Sequence, residues 1–168
     1  VSGHFANFEL MSMELTKNGI NLATIYRPLN NFLVNPLMEY LRKKYVCKNQ
    51  IKKGRLGVKD CVQFIKKNIS VALMIDQRLG EGDRVDLFSK KAHTTSLPAQ
   101  LAIKYKLNIV PVFIKRKNND LFEMKIYKPL SNLDSTNKSK LTMKLNMILE
   151  EMISKNSDQW IWTHDRWK

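Results

Sequence analysis

The segment from Gly3 to Glu9 places a histidine five residues ahead of a carboxylate. An offset of five separates two side chains by about 140° around a helix and puts them on opposite faces of a strand. His4 and Glu9 can therefore meet only where the chain changes direction. If Asn7 caps a helix, Glu9 falls in its first turn, where the helix dipole favours a carboxylate, and His4 stays on the incoming loop. A carboxylate that holds an imidazole in this way creates a general base for a hydroxyl.

The spacing alone carries little weight. With 15 acidic residues among 168, the same spacing arises by chance roughly one time in six. The alternative interpretation is a loop histidine beside an acid that caps a helix. The choice between a catalytic pair and a capping acid therefore depends on motifs further along the chain.

Helical and strand patterns alternate along the first half of the chain. A first helix is predicted over residues 7–17, and residues 21–26 are predicted to form a strand that Pro28 stops. Apolar residues recur at helical spacing after Pro36 and again around Val62, which predicts two more helices.

The second half continues this alternation. Residues 70–75 are predicted to form a fully buried strand that brings Asp76 to its carboxyl end, the usual position of functional residues in an open α/β sheet. A helix over residues 98–105 precedes a predicted hairpin of residues 109–115 and 122–127. A last amphipathic helix aligns five apolar residues on one face: Leu141, Leu145, Ile148, Leu149 and Met152. Since no linker or repeat divides the chain, we expect a single α/β domain with a mixed β-sheet flanked by helices.

The net charge is +14, from 29 basic and 15 acidic residues. Ten of the basic residues lie between Arg42 and Lys67, where Asp60 is the only acid. This excess favours an anionic membrane, a phosphorylated glycolipid or an acidic carrier protein as a partner, although a solvated helix face explains part of it. Nucleic acid is not predicted, because the sequence has no recognition module and no interleaved aromatic and basic platform.

Metal and membrane-spanning patterns are missing from the sequence. Cys47 and Cys61 have neither the spacing nor the histidine partners of a zinc site, so no metal is predicted. No apolar stretch approaches the roughly 18 residues of a membrane span. The chain opens with Val1 and enters the His4 motif at once, which we interpret as a fragment that has lost upstream sequence.

Further motifs follow the His4 segment in order. They are Tyr26-Arg27-Pro28, Tyr40-Leu41-Arg42, Asp76-Gln77, Ala92-His93-Thr94-Thr95 and a closing segment that contains Gln159, Trp160, Trp162, His164, Arg166 and Trp167. This ordered set resembles the bacterial lipid A biosynthesis acyltransferases, which add secondary lauroyl or myristoyl chains to the lipopolysaccharide anchor. The resemblance covers residues 1–168 and implies a glycerolipid-acyltransferase-like fold.

The resemblance also implies roles for individual residues. His4 is the expected base, Glu9 its partner, and Arg42 occupies the position of a functional arginine of the family. A structural salt bridge is the alternative for Arg42. We expect no metal and no organic cofactor.

Four other residues are candidates for substrate binding. Arg27 is a candidate for the functional arginine or a loop anchor. Asp76 matches a family position, where it would support another functional residue or bind the acceptor, or it caps the loop after its strand. Thr94 and Thr95 resemble a pair of threonines in the family, but Thr-Thr ahead of Pro98 is also an ordinary helix entry.

The implied partners are an acyl carrier protein thioester as donor, an anionic glycolipid as acceptor and the inner membrane surface. Family members carry an anchoring helix ahead of the His4 motif, so we expect the protein at the cytoplasmic face of the inner membrane. Trp160, Trp162 and Trp167 in the closing segment suit either a membrane interface or core packing.

Two alternatives stay open. A glycerophospholipid-type acyltransferase shares the chemistry, but its histidine motif usually ends in Asp and contains a serine, whereas this motif ends in Phe8-Glu9. A non-catalytic, basic, membrane-peripheral binding module is the other alternative. Phe8 and Ser89 also depart from the usual family residues, Trp and Gly, which leaves the acyl chain and the acceptor open.

Overall fold

The computed structural model describes residues 1–80, 82–130, 137–163 and 165–168. The described chain forms two compact units, Glu9–Leu73 on the one hand and Val1–Phe8 with Met74–Lys168 on the other. His164, which belongs to the closing motif, lies outside the described residues.

The unit Glu9–Leu73 is built on a small parallel sheet. Its elements are α1 (Glu9–Lys17), β1 (Leu22–Tyr26), α2 (Asn35–Leu41), a π-helical turn (Arg42–Val46), β2 (Asn49–Lys52), α3 (Arg55–Lys66) and β3 (Ser70–Ala72). The strand order is β2-β1-β3, with Ile25 opposite Ile51 and Ala23 opposite Val71. Helices connect the parallel strands, as a parallel pair requires.

Gly57 lets α3 pass close to the end of β2. A Cβ atom at this position would lie 2.2 Å from the backbone oxygen of Lys52. The contact partner is backbone rather than a flexible side chain, so the helix and the strand cannot both keep their places around a larger residue.

The second unit combines two antiparallel hairpins with two long helices. Its elements are β4 (Asp83–Leu87), β5 (Lys90–Thr94), α4 (Leu97–Tyr105), β6 (Val112–Asn118), β7 (Leu121–Ile126), α5 (Lys138–Lys155) and a 3₁₀ turn (Ser157–Gln159). β4 pairs with β5, and β6 pairs with β7. The buried face of α5 includes Leu141, Leu145, Leu149, Met152 and Ile153.

The amino-terminal segment is bonded into this second unit by backbone contacts. Ser2 bridges Met74 in parallel, and the backbone N–H of Ile75 donates to the oxygen of Ser2 at 2.9 Å. On the other side, the N–H of Val112 donates to the oxygen of Val1 at 2.9 Å. These bonds bring His4 beside the chain that follows Met74.

The predicted α/β class is confirmed, and parallel and antiparallel pairings both occur. The predicted helices are confirmed as α1 to α5, and Glu9 stands in the first turn of α1. The hairpin around Asn119 is also confirmed, with strands that are offset by a few residues from their predicted bounds.

The prediction of a fully buried strand over residues 70–75 is wrong. Ser70 is exposed and Val71 is half-buried, and the chain becomes buried only at Ile75 and Asp76. β3 is an edge strand of the three-stranded sheet among the described residues, so one of its sides is not covered by a strand. In α5, Ile148 is likewise half-buried rather than buried.

The hairpin of β4 and β5 was not predicted. Phe88 and Ser89 form its turn with φ angles of 52° and 58°. Turns of this kind usually carry Asn-Gly, because glycine and asparagine adopt positive φ angles more easily than other residues. Without that signal, the sequence does not show the turn.

Gly57→Ala should destabilise the protein by about 1 to 3 kcal/mol, because the new methyl group meets the Lys52 backbone oxygen. The measurement is urea unfolding followed by circular dichroism. Gly80→Ala is the matched control, since a Cβ there has no neighbour within 4 Å among the described residues. Equal stability of the two variants would contradict the contact.

Candidate active site

The imidazole of His4 is held by the buried carboxylate of Asp76. His4 Nδ1 lies 2.7 Å from Asp76 Oδ1, and the His4 backbone N–H donates to Oδ2 at 2.7 Å. The His4 side chain is 15% exposed and that of Asp76 is 3% exposed. The histidine is therefore partly accessible, while its partner is shielded from water.

The closing segment of the chain reaches the same carboxylate. The indole N–H of Trp160 donates to Asp76 Oδ2 at 2.9 Å, and the Trp160 residue is 5% exposed. The backbone of this segment also bonds to the His4 motif: the N–H of Ile161 donates to the oxygen of His4 at 3.0 Å, and the N–H of Ala6 donates to the oxygen of Gln159 at 2.8 Å.

Gly3 allows the close packing around this pair. A Cβ atom on Gly3 would lie 2.8 Å from Phe5, 2.9 Å from Leu149 and 3.4 Å from Asp76 Cγ. After His4 the chain turns sharply, because Ala6 adopts a positive φ of 43°. The change of direction that the spacing of the motif required is thus present.

The contacts of His4 define its chemical state. An ionised Asp76 cannot donate, so Nδ1 carries the proton and Nε2 carries the lone pair in the neutral imidazole. The side-chain amide of Gln77 lies 3.4 Å from Nε2 through its own Nε2 atom. Phe8 packs edge-on against the imidazole with ring centroids 4.5 Å apart. The ring is fixed in orientation with a basic nitrogen away from Asp76.

The hydrogen bonds decide the charge of Asp76. Burial works to raise the pKa of its carboxyl, but the hydrogen bonds and charge of His4 and the indole of Trp160 outweigh burial. The pKa therefore lies below the ordinary value of 3.8. Asp76 is a carboxylate at neutral pH and favours the imidazolium that forms when His4 accepts a proton.

Glu9 and Arg42 form an ion pair inside the unit Glu9–Leu73. Arg42 Nε donates to Glu9 Oε1 at 2.9 Å, and Nη2 of the same guanidinium lies 2.8 Å from that oxygen. The Arg42 side chain is 18% exposed and that of Glu9 is 33% exposed. The structure thus brings together two of the three residues predicted to be catalytic, and it places His4 with Asp76. The pairing of His4 with Glu9 stays a prediction.

Arg42 has one guanidinium nitrogen left over. Its Nη1 is buried and has no hydrogen-bond partner among the described residues. The guanidinium stands 5.8 Å from the ring centroid of Tyr26. Arg42 also begins the π-helical turn Arg42–Val46, and such turns are frequent at functional sites.

The Thr94 hydroxyl is occupied by contacts inside the protein. It donates to the backbone oxygen of Ala92 at 3.1 Å, and it accepts from Arg166 Nη2 at 2.7 Å and from Asn146 Nδ2 at 3.2 Å. Arg166 is fully buried and also donates to the backbone oxygen of His93. Burial lowers the pKa of the Arg166 guanidinium. These contacts anchor the closing segment to β5, so substrate binding by Thr94 stays a prediction.

The remaining candidates occupy ordinary structural positions. The Thr95 hydroxyl accepts from the backbone N–H of Leu97 at 3.3 Å, which makes it part of the entry to α4. Arg27 is exposed directly after β1. His93 Nδ1 lies 3.3 Å from the backbone oxygen of Gly82. Substrate binding by Arg27, Asp76 and Thr95 stays a prediction as well.

Sequence reasoning missed the partnership of Asp76 with His4 and Trp160. Asp76 was predicted to support another functional residue, to bind the acceptor or to cap a loop, without a named partner, and Trp160 was predicted to pack in the core or to face a membrane. The three residues are far apart in sequence, with 72 positions between His4 and Asp76 and 84 between Asp76 and Trp160. The only local signal was an acid at the end of a predicted strand.

Within the described ranges, no three His, Cys, Asp or Glu side chains group together as a metal site requires. None of the helices described is both long enough and apolar enough to cross a membrane.

An α/β chain with a histidine held by a buried carboxylate has the arrangement of an enzyme that uses a general base. The sequence model described as bacterial lipid A biosynthesis acyltransferase matches residues 1–168, the whole chain. The chain belongs to this family and is an acyltransferase of lipid A biosynthesis. A search of curated proteins finds no match.

Asp76→Asn should lower the free energy of unfolding by about 2 kcal/mol at neutral pH, because three donors lose a charged acceptor. Folding lowers the pKa of the Asp76 carboxyl below its ordinary value of 3.8. The carboxylate therefore contributes to the free energy of unfolding above pH 3.8, and this contribution is lost as the pH falls through the lowered pKa. Urea unfolding at a series of pH values should show the two proteins converging at acid pH. Asp120→Asn, at the exposed turn between β6 and β7, is the control. A difference that stays constant with pH would contradict the role of the carboxylate.

Proposed function

We propose that this acyltransferase moves a fatty acyl chain from the thioester of acyl carrier protein to a hydroxyl group of a lipid A precursor. The observation that carries the proposal is the His4–Asp76 pair, with 2.7 Å between Nδ1 and Oδ1 and a buried carboxylate. This pair leaves Nε2 of His4 as a basic nitrogen.

In the proposed reaction, His4 Nε2 takes the proton of the acceptor hydroxyl. The hydroxyl oxygen attacks the thioester carbonyl carbon, and the carbon–sulfur bond breaks as the tetrahedral intermediate collapses. The departing thiolate takes the proton back from the His4 imidazolium. Asp76 stabilises the imidazolium between these two proton transfers. Atoms and charge balance without a metal or an organic cofactor.

Glu9 and Arg42 are the other proposed catalytic residues. Arg42 carries a buried Nη1 atom without a hydrogen-bond partner among the described residues, and this N–H is suited to bind an oxyanion or a phosphate oxygen. Glu9 holds the guanidinium through Nε and Nη2. Glu9 is proposed to position Arg42 and, as the alternative to Asp76, to be the carboxylate partner of His4.

Transfer is proposed to be direct, without an acyl-cysteine intermediate. Cys47 is 2% exposed and Cys61 is fully buried. Burial raises the pKa of both thiols, to about 11 for Cys61, where the charge of Asp60 adds to the effect. Thiols of this kind supply little thiolate at neutral pH.

The proposed partners follow from charge and family. A net charge of +14 suits an acidic carrier protein and an anionic glycolipid acceptor. An acceptor with several acyl chains resides in a bilayer, so we propose that the enzyme works at the cytoplasmic face of the inner membrane.

His4→Ala should lower kcat by roughly 10²- to 10⁴-fold, because the general base is lost. The measurement is acyl transfer from a defined acyl carrier protein thioester to a lipid A precursor, followed by mass spectrometry. His93→Ala is the matched control and should retain most of the activity. Glu9→Gln and Asp76→Asn, compared in the same assay, report which carboxylate supports the base. Normal turnover by His4→Ala would overturn the proposed mechanism.

A further inference from the structure

A loop and a short helix of the unit Glu9–Leu73 expose an unusual amount of apolar surface. Phe32 is 80% exposed, Leu33 is 74% exposed and Leu37 is 57% exposed. We call the following residues the apolar patch: Leu29, Phe32, Leu33, Val34, Leu37 and Tyr40, each at least 40% exposed. None of the described residues of α2 is buried. Large apolar side chains that are exposed together in one short segment indicate a site of interaction.

The loop that carries the patch is held in shape by its own polar groups. Asn31 Oδ1 accepts from the backbone N–H of Leu33 at 3.0 Å and from that of Val34 at 3.3 Å. Asn35 Oδ1 accepts from the N–H of Leu29 at 2.8 Å, and Asn35 Nδ2 donates to Glu39 at 2.8 Å. Because these backbone groups are satisfied within the loop, the large apolar side chains are presented on an ordered support.

Basic and aromatic residues follow the patch directly. Between Arg27 and Lys53 the chain has seven Lys or Arg residues and one acid, Glu39. Lys43 and Lys44 are exposed at the end of α2. The Lys44 ammonium stands 5.6 Å from the ring centroid of Tyr40 and 5.0 Å from that of Tyr45. Lysines beside tyrosines and large apolar side chains are the composition of segments that lie in the interface of an anionic bilayer.

We propose that the apolar patch, flanked by Lys43 and Lys44, docks on an anionic lipid bilayer. Phe32 and Leu33 enter the boundary between headgroups and acyl chains, and the lysines bind lipid phosphates. A bilayer is the proposed partner for two reasons. The lysines complement the negative charge of lipid headgroups, and the proposed acceptor is itself a lipid. The second reason rests on the proposed function. An acidic carrier protein is the competing occupant, but exposed side chains as large as Phe32 and Leu33 fit an acyl-chain region better than a polar protein surface.

The test is binding of the chain to vesicles, without turnover. Vesicles of phosphatidylcholine with about one third phosphatidylglycerol are compared with pure phosphatidylcholine at two salt concentrations. Binding should favour the anionic vesicles and weaken with salt, since the charges are screened within about 8 Å at physiological ionic strength. Phe32→Ser combined with Leu33→Ser should weaken binding at least about tenfold. Lys43→Gln with Lys44→Gln should weaken binding to anionic vesicles alone, by about tenfold or more.

Leu121→Ser is the matched control, because Leu121 is 67% exposed in the other unit. A thermal melt of each variant shows that it is folded. Binding that is equal for neutral and anionic vesicles, or that survives the Phe32 and Leu33 changes, overturns the proposal. Loss of acyl carrier protein binding with unchanged vesicle binding assigns the patch to the carrier instead and also overturns it. Since no acyl transfer is measured, this result is independent of the His4→Ala result.

A separate observation concerns Trp160. Asp76 Oδ2 accepts from the His4 backbone N–H and from the Trp160 indole, while Oδ1 is left for the His4 imidazole. Both oxygens of the carboxylate are thereby fixed, and the carboxyl plane cannot turn without breaking a bond. Trp162 packs edge-on against Trp160 with ring centroids 4.5 Å apart, which supports the indole from its other side.

We infer that Trp160 is a positioning residue, which acts on the base through Asp76. Without the indole N–H, the carboxylate loses one of the two bonds that hold Oδ2, and both the carboxyl plane and the imidazole bonded to Oδ1 are held less firmly. The residue does not touch the reacting atoms, so its effect should appear in kcat rather than in the KM for the donor. This inference rests on the proposed role of His4.

Trp160→Phe keeps the ring that packs in the core and removes only the N–H donor. We expect kcat to fall about fivefold to tenfold with little change in KM. Trp167→Phe is the matched control, because its indole N–H donates to the backbone oxygen of Leu87 at 3.0 Å in the same unit. The low-field proton resonance of the His4 Nδ1–H bond to Asp76 gives a second readout that needs no turnover. The chemical shift of this proton should change in Trp160→Phe and stay the same in Trp167→Phe. A resonance and a kcat equal to those of Trp167→Phe would overturn the inference, whatever the outcome for His4→Ala.

Discussion

The buried carboxylate of Asp76 is the centre on which the second unit depends. It is 4% exposed and accepts three hydrogen bonds, two from His4 and one from Trp160. A charge in such a place is costly unless every lone pair that faces the protein has a donor. The donors come from the amino-terminal segment and from the closing segment, so the charge can be buried only when both segments are in place.

This requirement explains how the ends of the described unit are organised. The backbone of His4 and Ala6 pairs with the segment from Gln159 to Ile161, and Arg166 bonds to β5 a few residues further on. A segment whose sequence resembles an aromatic and basic tail is therefore part of the framework around His4. Its aromatic residues have different roles, since Trp160 is buried while Trp162 is 57% exposed.

The unit Glu9–Leu73 has a partly exposed ion pair where the other unit has a buried carboxylate. Its charged pair, Glu9 with Arg42, is partly exposed, and Nη1 of Arg42 has no hydrogen-bond partner among the described residues. The hydrogen bonds of Asn31 order a loop whose large apolar side chains are exposed to water. The polar contacts of this unit thus hold partly exposed groups rather than a fully buried carboxylate.

Local patterns in the sequence were sufficient for the α/β class, the five helices, the turn after His4 and the hairpin around Asn119, because each depends on neighbouring residues: apolar spacing, a helix start, a turn dipeptide. The ordered motifs also indicated the family. The partner of His4 was decided by the tertiary structure alone. Asp76 and Trp160 meet His4 only after strands and helices between them have packed, and no local rule links residues so far apart in sequence. The hairpin of β4 and β5 could not be predicted either, because its turn residues give no local signal. Phe88 and Ser89 lack a strong turn preference, and the pairing of Leu87 with Lys90 closes the turn in which they adopt positive φ angles.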